Sequence, residues 1–313
     1  MKMNAYIAGV GMTRFGKHLE LSLKSLAGEA IGEALADAGL ESSAIEAAYM
    51  ANAAGGVVQG QEMISGQVAL RELGIGRIPV VNLENACASS STAFNQAAAM
   101  VSLGVYDVAL VCGFEKLFHQ DKRRTFAAFD GAVDTENPAG LSGTLEVLAR
   151  KAGVAVDVEN AGVTRSVFMD IYSLLAKAHM REYGTTREQF AGVTVKNSIH
   201  GSLNPRAQFQ QAMTLEEVLE SREIIDPLTL PMCSPIGDGA AAVILVSARK
   251  ARELGLKRPV RVLSSVLVSG WDTADSDPSV GEFAACAAYE AAGVGPEDLS
   301  LAELHDASAP SEI

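Results

Sequence analysis

The sequence predicts an α/β fold with a largely parallel sheet, in which one α/β half is followed by a second, similar half. Three observations support this. Short β-type runs alternate with helical patterns through residues 1–113, at the spacing of βαβ units. A mostly helical stretch then interrupts the alternation before another apolar strand. Farther along, Ala292-Gly293-Val294 aligns without gaps on Ala38-Gly39-Leu40, together with apolar positions downstream, which indicates a duplicated α/β half.

The first half is predicted element by element. A first strand covers Ala5–Val10, and a helix over Ser22–Ala38 ends at Gly39, a preferred residue at helix C-termini. The apolar run Asp107–Cys112 is typical of a strand buried on both faces. The elements between them are predicted as a strand at Ile45–Ala51, a helix at Glu62–Leu73, a strand at Ile78–Asn82 and a helix at Ala86–Ser102.

A mostly helical loop domain is predicted to be inserted at residues 118–189. Helices are expected at Leu141–Ala152 and Thr164–Tyr183. Two further helices begin at Thr186 and Thr214, each followed three residues later by Gln or Glu. That spacing is the pattern of a capping box.

The second half is expected to be incomplete in this sequence. Strands predicted at Val260–Gly270 and Leu299–Leu304 flank a helix that ends at Gly293, as in the first copy. The first copy continues through four more elements, whereas the second stops at Ile313. By comparison of the copies, about 60 or more residues are expected to follow. Residues 1–117 and 190–250, with the strand Ala240–Val246, are assigned to the N-terminal half, 118–189 to the insertion and 251–313 to a truncated C-terminal half.

Composition and charge exclude several classes of function. The chain has 313 residues, of which 48% are hydrophobic, and a formal charge of −13. The negative charge argues against nucleic acid and against an anionic membrane surface, because both attract clustered Lys and Arg. No apolar run approaches the roughly 20 residues that cross a bilayer. The N-terminal residues lack the pattern of a signal peptide, so a cytoplasmic protein is expected.

The four cysteines form neither a metal pattern nor a disulfide pattern. They stand at positions 87, 112, 233 and 286 without a C-x-x-C pair, so neither zinc nor a disulfide framework is expected. Cys112 lies in an apolar strand and Cys286 in an Ala-rich helix, and both are expected to be core residues. Cys233 precedes a turn-rich segment that is expected to be a structural bend.

Cys87 is the candidate nucleophile. A polar turn links the strand ending at Asn82 to a helix of small residues whose first turn contains Cys87. A helix N-terminus is expected to stabilise a thiolate and lower the pKa of the thiol. Its free N–H groups can also hold the oxyanion that forms when a thioester is attacked. The alternative is a buried cysteine that packs as a small hydrophobic residue, and position alone leaves both open.

His305 is the second candidate. The pair His305-Asp306 follows the predicted strand Leu299–Leu304, at the carboxyl end of a parallel strand, where the sites of α/β proteins form. A histidine at this place can donate a hydrogen bond to a thioester oxygen. The alternative is a histidine that caps a loop, and the spacing does not separate the two.

Several segments of the sequence resemble one family. The segment around Cys87 resembles the nucleophile region of thiolases, and Cys233–Leu245 resembles the segment leading into the last strand of their N-terminal half. Other segments resemble the sterol-carrier-protein-type (lipid-transfer) branch of the thiolases. These segments are Ala5–Gly16, Met169–Gly184 with Lys196–Pro205, and His305–Ile313.

The resemblance implies a thiolase-like fold and acyl transfer. The fold would be a five-layer αβαβα arrangement of two similar α/β halves, with a loop domain inserted in the first, assembled as a homodimer or homotetramer. Coenzyme A would be a substrate, and no bound cofactor is expected. By analogy, Cys87 would attack the ketone of a 3-ketoacyl-CoA, with its backbone N–H serving an oxyanion hole. His305 would match the family's His-Asp-Cys-Phe motif and stabilise the thioester enolate.

Two departures from the family's pattern leave other functions open. Ala307 replaces the acid/base cysteine of that motif, as in some bacterial and archaeal relatives. The Gly-His-Pro segment, whose histidine activates the nucleophile, would lie beyond residue 313. One alternative is a carbon–carbon lyase acting on a CoA-linked side chain, although a lyase relative carries Tyr at the position of His305. The other is a non-catalytic acyl-CoA-binding subunit that works with a small OB-fold and zinc-ribbon protein.

Overall fold

A computed structural model of the protein describes residues 2–270 and 278–313. They form two compact units. Unit 1 contains the described residues up to 117 and within Asp238–Ala302, and unit 2 contains Phe118–Gly237 and Glu303–Ile313. The bounds of unit 2 differ from the predicted insertion 118–189, since the helix that begins at residue 187 shares an apolar cluster with Val218 and Leu228. The predicted assignment of domains remains a prediction, and residues 271–277 of its last range lie outside the described residues.

Over the described ranges the chain forms eight strands and eleven α-helices. The strands are β1 (Lys2–Met12), β2 (Ala47–Ala51), β3 (Val80–Leu83), β4 (Val108–Lys116), β5 (Glu223–Ile225), β6 (Leu228–Thr229), β7 (Asp238–Ser247) and β8 (Val260–Ser264). The helices are α1 (Leu23–Ala38), α2 (Gly55–Gln59), α3 (Ser65–Glu72), α4 (Ser89–Ser102), α5 (Lys122–Asp130), α6 (Pro138–Ala152), α7 (Val167–Tyr183), α8 (Arg187–Leu203), α9 (Leu215–Glu220), α10 (Ala248–Glu253) and α11 (Val280–Ala292). No helix in the described part of the chain is long and apolar enough to cross a membrane.

Unit 1 is built on a six-stranded mixed sheet with the strand order β3-β2-β4-β7-β1-β8. β2 pairs in parallel with β3 and β4, whereas β7 pairs antiparallel with β4 and β1, and β8 antiparallel with β1. The prediction of a largely parallel sheet was therefore wrong outside β2–β4. The reason lies in the connection: Lys116 at the end of β4 pairs with Asp238 at the start of β7. The mostly helical segment between them therefore starts and ends at the same end of two neighbouring strands, so β7 runs antiparallel to β4.

Apolar residues fill both faces of this sheet. On one face α1 buries side chains including Leu26, Ile31 and Ala34 against β4 and β7. On the other face α4 buries Ala93, Ala97 and other small residues. Two helices and a sheet therefore enclose the core of unit 1, and the small residues allow close packing.

The predicted strand Leu299–Leu304 is not formed, and the run is irregular and largely exposed. The predicted strand Val260–Gly270 shortens to β8, which joins the edge of the same sheet beside β1. A strand is stable only where neighbouring strands satisfy its backbone N–H and C=O groups, and none of the described strands pairs with residues 299–304.

Unit 2 is mostly helical, as predicted for the insertion. Both predicted capping boxes are confirmed, because Thr186 and Thr214 each accept from the third backbone N–H of their helix and Gln189 and Glu217 reciprocate. α6 and α7 pack through Leu145 and Leu174 among others. A second cluster gathers α8, α9, β6 and residues near 232 and 309.

Candidate active site

Cys87 lies in a sharp turn between β3 and α4 of unit 1. Residues Ala86–Ala88 form one 3₁₀ turn that runs directly into α4. Ala86 has a φ of 45°, in the left-handed region that costs a residue with a side chain about 1–2 kcal/mol. Cys87 itself is exposed, so it does not pack as a core residue. A strained residue beside an exposed thiol is the kind of outlier found at functional sites.

Side chains of α4 hold this turn in place. The backbone N–H of Asn85 donates to Ser89 Oγ (2.8 Å), and Ser89 Oγ donates to the carbonyl of Ala86 (2.7 Å). Asn85 Nδ2 donates to Thr92 Oγ1 (2.9 Å), which in turn donates to the carbonyl of Ala88 (2.9 Å). Ser89 and Thr92 are buried. These bonds bracket Cys87 on both sides and stabilise the left-handed residue that precedes it.

The start of α4 can stabilise negative charge beside Cys87. The backbone N–H groups of Ala88 and Ser89 donate to the carbonyls of Asn85 and Ala86, but the helix dipole still places a partial positive charge at this end of α4. A carbonyl oxygen that becomes an oxyanion during attack by Cys87 would lie in this field. The geometry therefore suits nucleophilic attack on a carbonyl carbon.

A set of polar hydrogen bonds at the carboxyl ends of β2 and β4 was not predicted from the sequence. Asn52, directly after β2, donates from Nδ2 to the carbonyl of Phe114 (2.6 Å) and to Glu115 Oε1 (3.1 Å). The other carboxylate oxygen of Glu115 accepts from the backbone N–H groups of Ala53 (3.0 Å) and Ala54 (2.9 Å). The signal that could have revealed it was polar residues at the ends of two adjacent parallel strands.

His305 lies in unit 2, is exposed, and belongs to an irregular segment. The expectation that it follows a parallel strand was wrong, because residues 299–304 form none. The backbone after His305 is held by two contacts. The N–H of Ser234 donates to the carbonyl of Ala307 (3.0 Å), and Cys233 forms an antiparallel bridge with Ser308. Cys87 and His305 are thus described in different units of the chain.

Two carboxylates follow His305 and share one amide donor. Asn197 Nδ2 on α8 donates to Asp306 Oδ2 (3.0 Å) and to Glu312 Oε1 (2.7 Å). Burial, followed by the nearby charge of Glu312, raises the pKa of Asp306. Burial also acts to raise the pKa of Glu312, but hydrogen bonds from Lys196 and Asn197 outweigh it and the pKa is lowered. The segment after His305 is therefore tied to α8 by both charge and hydrogen bonds.

The other cysteines do not join the site. Cys112 is buried, as expected, and burial raises its pKa. Cys233 is partly buried, donates weakly to the carbonyl of Thr229 (3.6 Å), and has its pKa raised by burial to about 11. The expectation that Cys286 is a core residue was wrong: it is exposed on α11, a helix with no buried residue. Among the described residues no three His, Cys, Asp or Glu side chains converge as metal ligands would.

Comparison with known proteins identifies the family. The family described as "Thiolase, N-terminal domain" matches residues 5–249. The chain belongs to the thiolase family. The resemblance noted in the sequence and the thiolase-like α/β fold are thereby confirmed.

The curated relatives of this thiolase include acyltransferases. It is 34% identical to "Benzoylsuccinyl-CoA thiolase subunit BbsB" of Thauera aromatica, over 100% of this chain and 74% of that protein. It is 36% identical to an acetyl-CoA acetyltransferase of Methanothermobacter thermautotrophicus, over 96% and 73%. It is 34% identical to sterol carrier protein 2 of Gallus gallus, over 100% of this chain but 55% of that one, so it spans about half the length of that relative.

Two solved structures are similar to this thiolase. The structure named "Ltp2-ChsH2(DUF35) aldolase" superposes with a TM-score of 0.73 at 27% identity, over 98% of this chain and 74% of that chain. An acetyl-CoA acetyltransferase from Syntrophomonas wolfei superposes with a TM-score of 0.66 at 18% identity, over 100% and 81%. The second supports the fold alone. By its family and these relatives, this thiolase is an acyl-CoA acyltransferase.

Proposed function

We propose that this protein transfers the acyl group of a 3-ketoacyl-CoA to coenzyme A, or condenses two acyl-CoA molecules in reverse, through an acyl-Cys87 intermediate. The observation that carries the proposal is the exposed Cys87 at the start of α4, directly after the left-handed Ala86. Membership of the thiolase family supports it. Coenzyme A enters as a substrate.

The proposed reaction has two steps. The thiol of Cys87 loses its proton and its sulfur attacks the C3 ketone. The C2–C3 bond then breaks, its electron pair becomes the enolate of the departing thioester, and the enolate takes up one proton. The thiol of coenzyme A next attacks acyl-Cys87, gives up its proton, and releases the shortened acyl-CoA with the free cysteine. The positive end of the α4 dipole supports the oxyanion of each attack. We assign to His305 the hydrogen bond that stabilises the enolate oxygen.

A thiolysis assay on the natural protein tests the proposal. Cys87→Ala should lower the rate by at least ~10³-fold, because the proposed acyl intermediate forms on the sulfur of Cys87. Cys286→Ala is the matched control, since Cys286 is also exposed in unit 1 but lies within α11. Wild-type thiolysis in the Cys87→Ala protein would refute the proposal.

A carbon–carbon lyase is the second candidate. The observation in its favour is the similarity, at 27% identity, to a structure whose name contains "aldolase". A lyase would release a free ketone or aldehyde from its CoA-linked substrate without consuming coenzyme A. Chromatography of the products with and without added coenzyme A separates the two functions. His305, where a lyase relative has Tyr, favours acyl transfer.

A non-catalytic acyl-CoA-binding subunit is the third candidate. One relative is named as a subunit, and the name of the aldolase structure joins two components. A small OB-fold and zinc-ribbon protein is the proposed partner, beside assembly of this chain as a homodimer or homotetramer. Binding of acyl-CoA without acylation of Cys87 would favour this function, and light scattering on the purified protein would measure the assembly. Four free cysteines support a reducing, cytoplasmic location.

A further inference from the structure

One amide on α8 clamps both ends of the turn that follows His305. Residues Ala309–Glu312 form a 3₁₀ turn, with Asp306 before it and Glu312 at its end. Asn197 Nδ2 donates to a carboxylate oxygen of each, at 3.0 Å and 2.7 Å. Lys196 forms an ion pair with Glu312. Residues 306–312 are therefore attached to α8 across more than 100 positions of sequence separation.

The clamp requires a donor between two acids. The side chain of Glu312 is 13% exposed, and Asp306 is partly buried, so water screens their charges only in part. Two nearby carboxylates repel each other unless a donor lies between them. Asn197 supplies that donor to both, whereas Lys196 reaches Glu312. A partly buried carboxylate that loses its hydrogen bond is left unpaired and repelled by its neighbour, so without Asn197 the segment beside Asp306 is expected to shift.

We propose that Asn197 is a positioning residue, which with Glu312 holds the backbone after His305 in the geometry that its role in acyl transfer requires. The inference rests on the proposed function, because it assigns Asn197 to the support of His305. Asp306, the immediate neighbour of His305, is anchored through its side chain, and Ala307 is anchored through its carbonyl by Ser234. A misplacement of about 1 Å in a catalytic group costs about 10²-fold in rate.

Variants of Asn197 in the natural protein test the proposal by the thiolysis assay. Asn197→Leu has a similar size without a donor, and Asn197→Asp keeps the shape but replaces the donor by a third carboxylate. We expect kcat to fall about 10- to 100-fold in both, with KM changed less than about twofold. Glu216→Gln, a change at an exposed carboxylate of α9, is the control and should leave kcat unchanged.

A double variant separates positioning from a general loss of structure. In Asn197→Asp/Asp306→Asn the new amide at position 306 can donate to the new carboxylate at 197, while Lys196 still pairs with Glu312. The kcat of this double variant should be at least about tenfold higher than that of Asn197→Asp. Alkylation of Cys87 by iodoacetamide should stay at the wild-type rate in every variant, and a single cooperative thermal transition in each shows that the proteins are folded.

His305→Ala distinguishes the two levels of the inference. Wild-type kcat in Asn197→Leu, or a double variant no better than Asn197→Asp, would overturn the positioning role alone if His305→Ala still loses activity. Wild-type kcat in His305→Ala would overturn the proposed role of His305 and, with it, the role of Asn197. A loss of kcat in both single variants with recovery in the double variant supports both.

Discussion

Replacing Gly11 by Ala should destabilise unit 1, because helix α1 lies directly on this glycine. A Cβ atom at residue 11 would lie 2.1 Å from the carbonyl oxygen of Ala30 and 2.5 Å from the nitrogen of Ala34. Both are backbone atoms, so no side chain can rotate away. The helix would have to retreat by about 1 Å to restore ordinary contact distances. Overpacking of this kind costs about 1–3 kcal/mol, and the rigid backbone contact places Gly11→Ala near 3 kcal/mol.

Thermal unfolding followed by circular dichroism measures this effect. At roughly 2–4 °C per kcal/mol for a unit of this size, Tm should fall by roughly 6–12 °C. The matched control is Gly32→Ala, because Gly32 lies within α1 with nothing within 4 Å of its Cβ position. That substitution should raise stability by about 1 kcal/mol through helix propensity. Equal Tm values for Gly11→Ala and wild type would refute the close approach of α1 to β1.

Three further predictions concern the turn before Cys87, the helix caps and the partly buried thiol of Cys233. Ala86→Gly should leave stability unchanged or raise it by up to about 1 kcal/mol, because relief of the left-handed conformation outweighs the entropy of glycine. Ala86→Val should destabilise by more than about 1 kcal/mol, and urea unfolding that ranks Val above Gly would contradict the φ of 45°. Thr186→Ala and Thr214→Ala should each cost about 1 kcal/mol in urea unfolding, whereas the corresponding Ser variants keep the cap; no loss in the Ala variants would contradict the capping boxes. The folded pKa of Cys233 is raised from 9.0 to about 11, so its contribution to stability is present below pH 9 and is lost as pH rises through 11. Stability should fall less steeply between pH 9 and pH 11 in Cys233→Ala than in wild type, and identical slopes would refute the burial of this thiol.

The features that the sequence predicted well are local ones. The predicted helix forms as α1 and ends as expected at Gly39, which has a φ of 64°, because this property belongs to a single residue. The two capping boxes depend on residues three positions apart. The apolar composition of β4 likewise predicts, without knowledge of its neighbours, that this strand is buried.

The features that the sequence did not reveal depend on distant partners. The direction of β7 follows from where the excursion between Lys116 and Asp238 begins and ends. The left-handed conformation of Ala86 could not be anticipated, since Ala rarely adopts it, and it is held by Ser89 and its neighbours. Asn197 and Asp306 are 109 residues apart, so no local pattern relates them.

An intact-mass spectrum of the natural protein incubated with a 3-ketoacyl-CoA tests the central claim most directly. Acyl transfer through Cys87 predicts a mass increase equal to the shortened acyl group, located by peptide mapping on Cys87 and absent from Cys87→Ala. Cys286→Ala should be acylated like wild type, because that thiol lies outside the turn. Turnover of the substrate with an unmodified Cys87, or an adduct that persists in Cys87→Ala, would contradict the account.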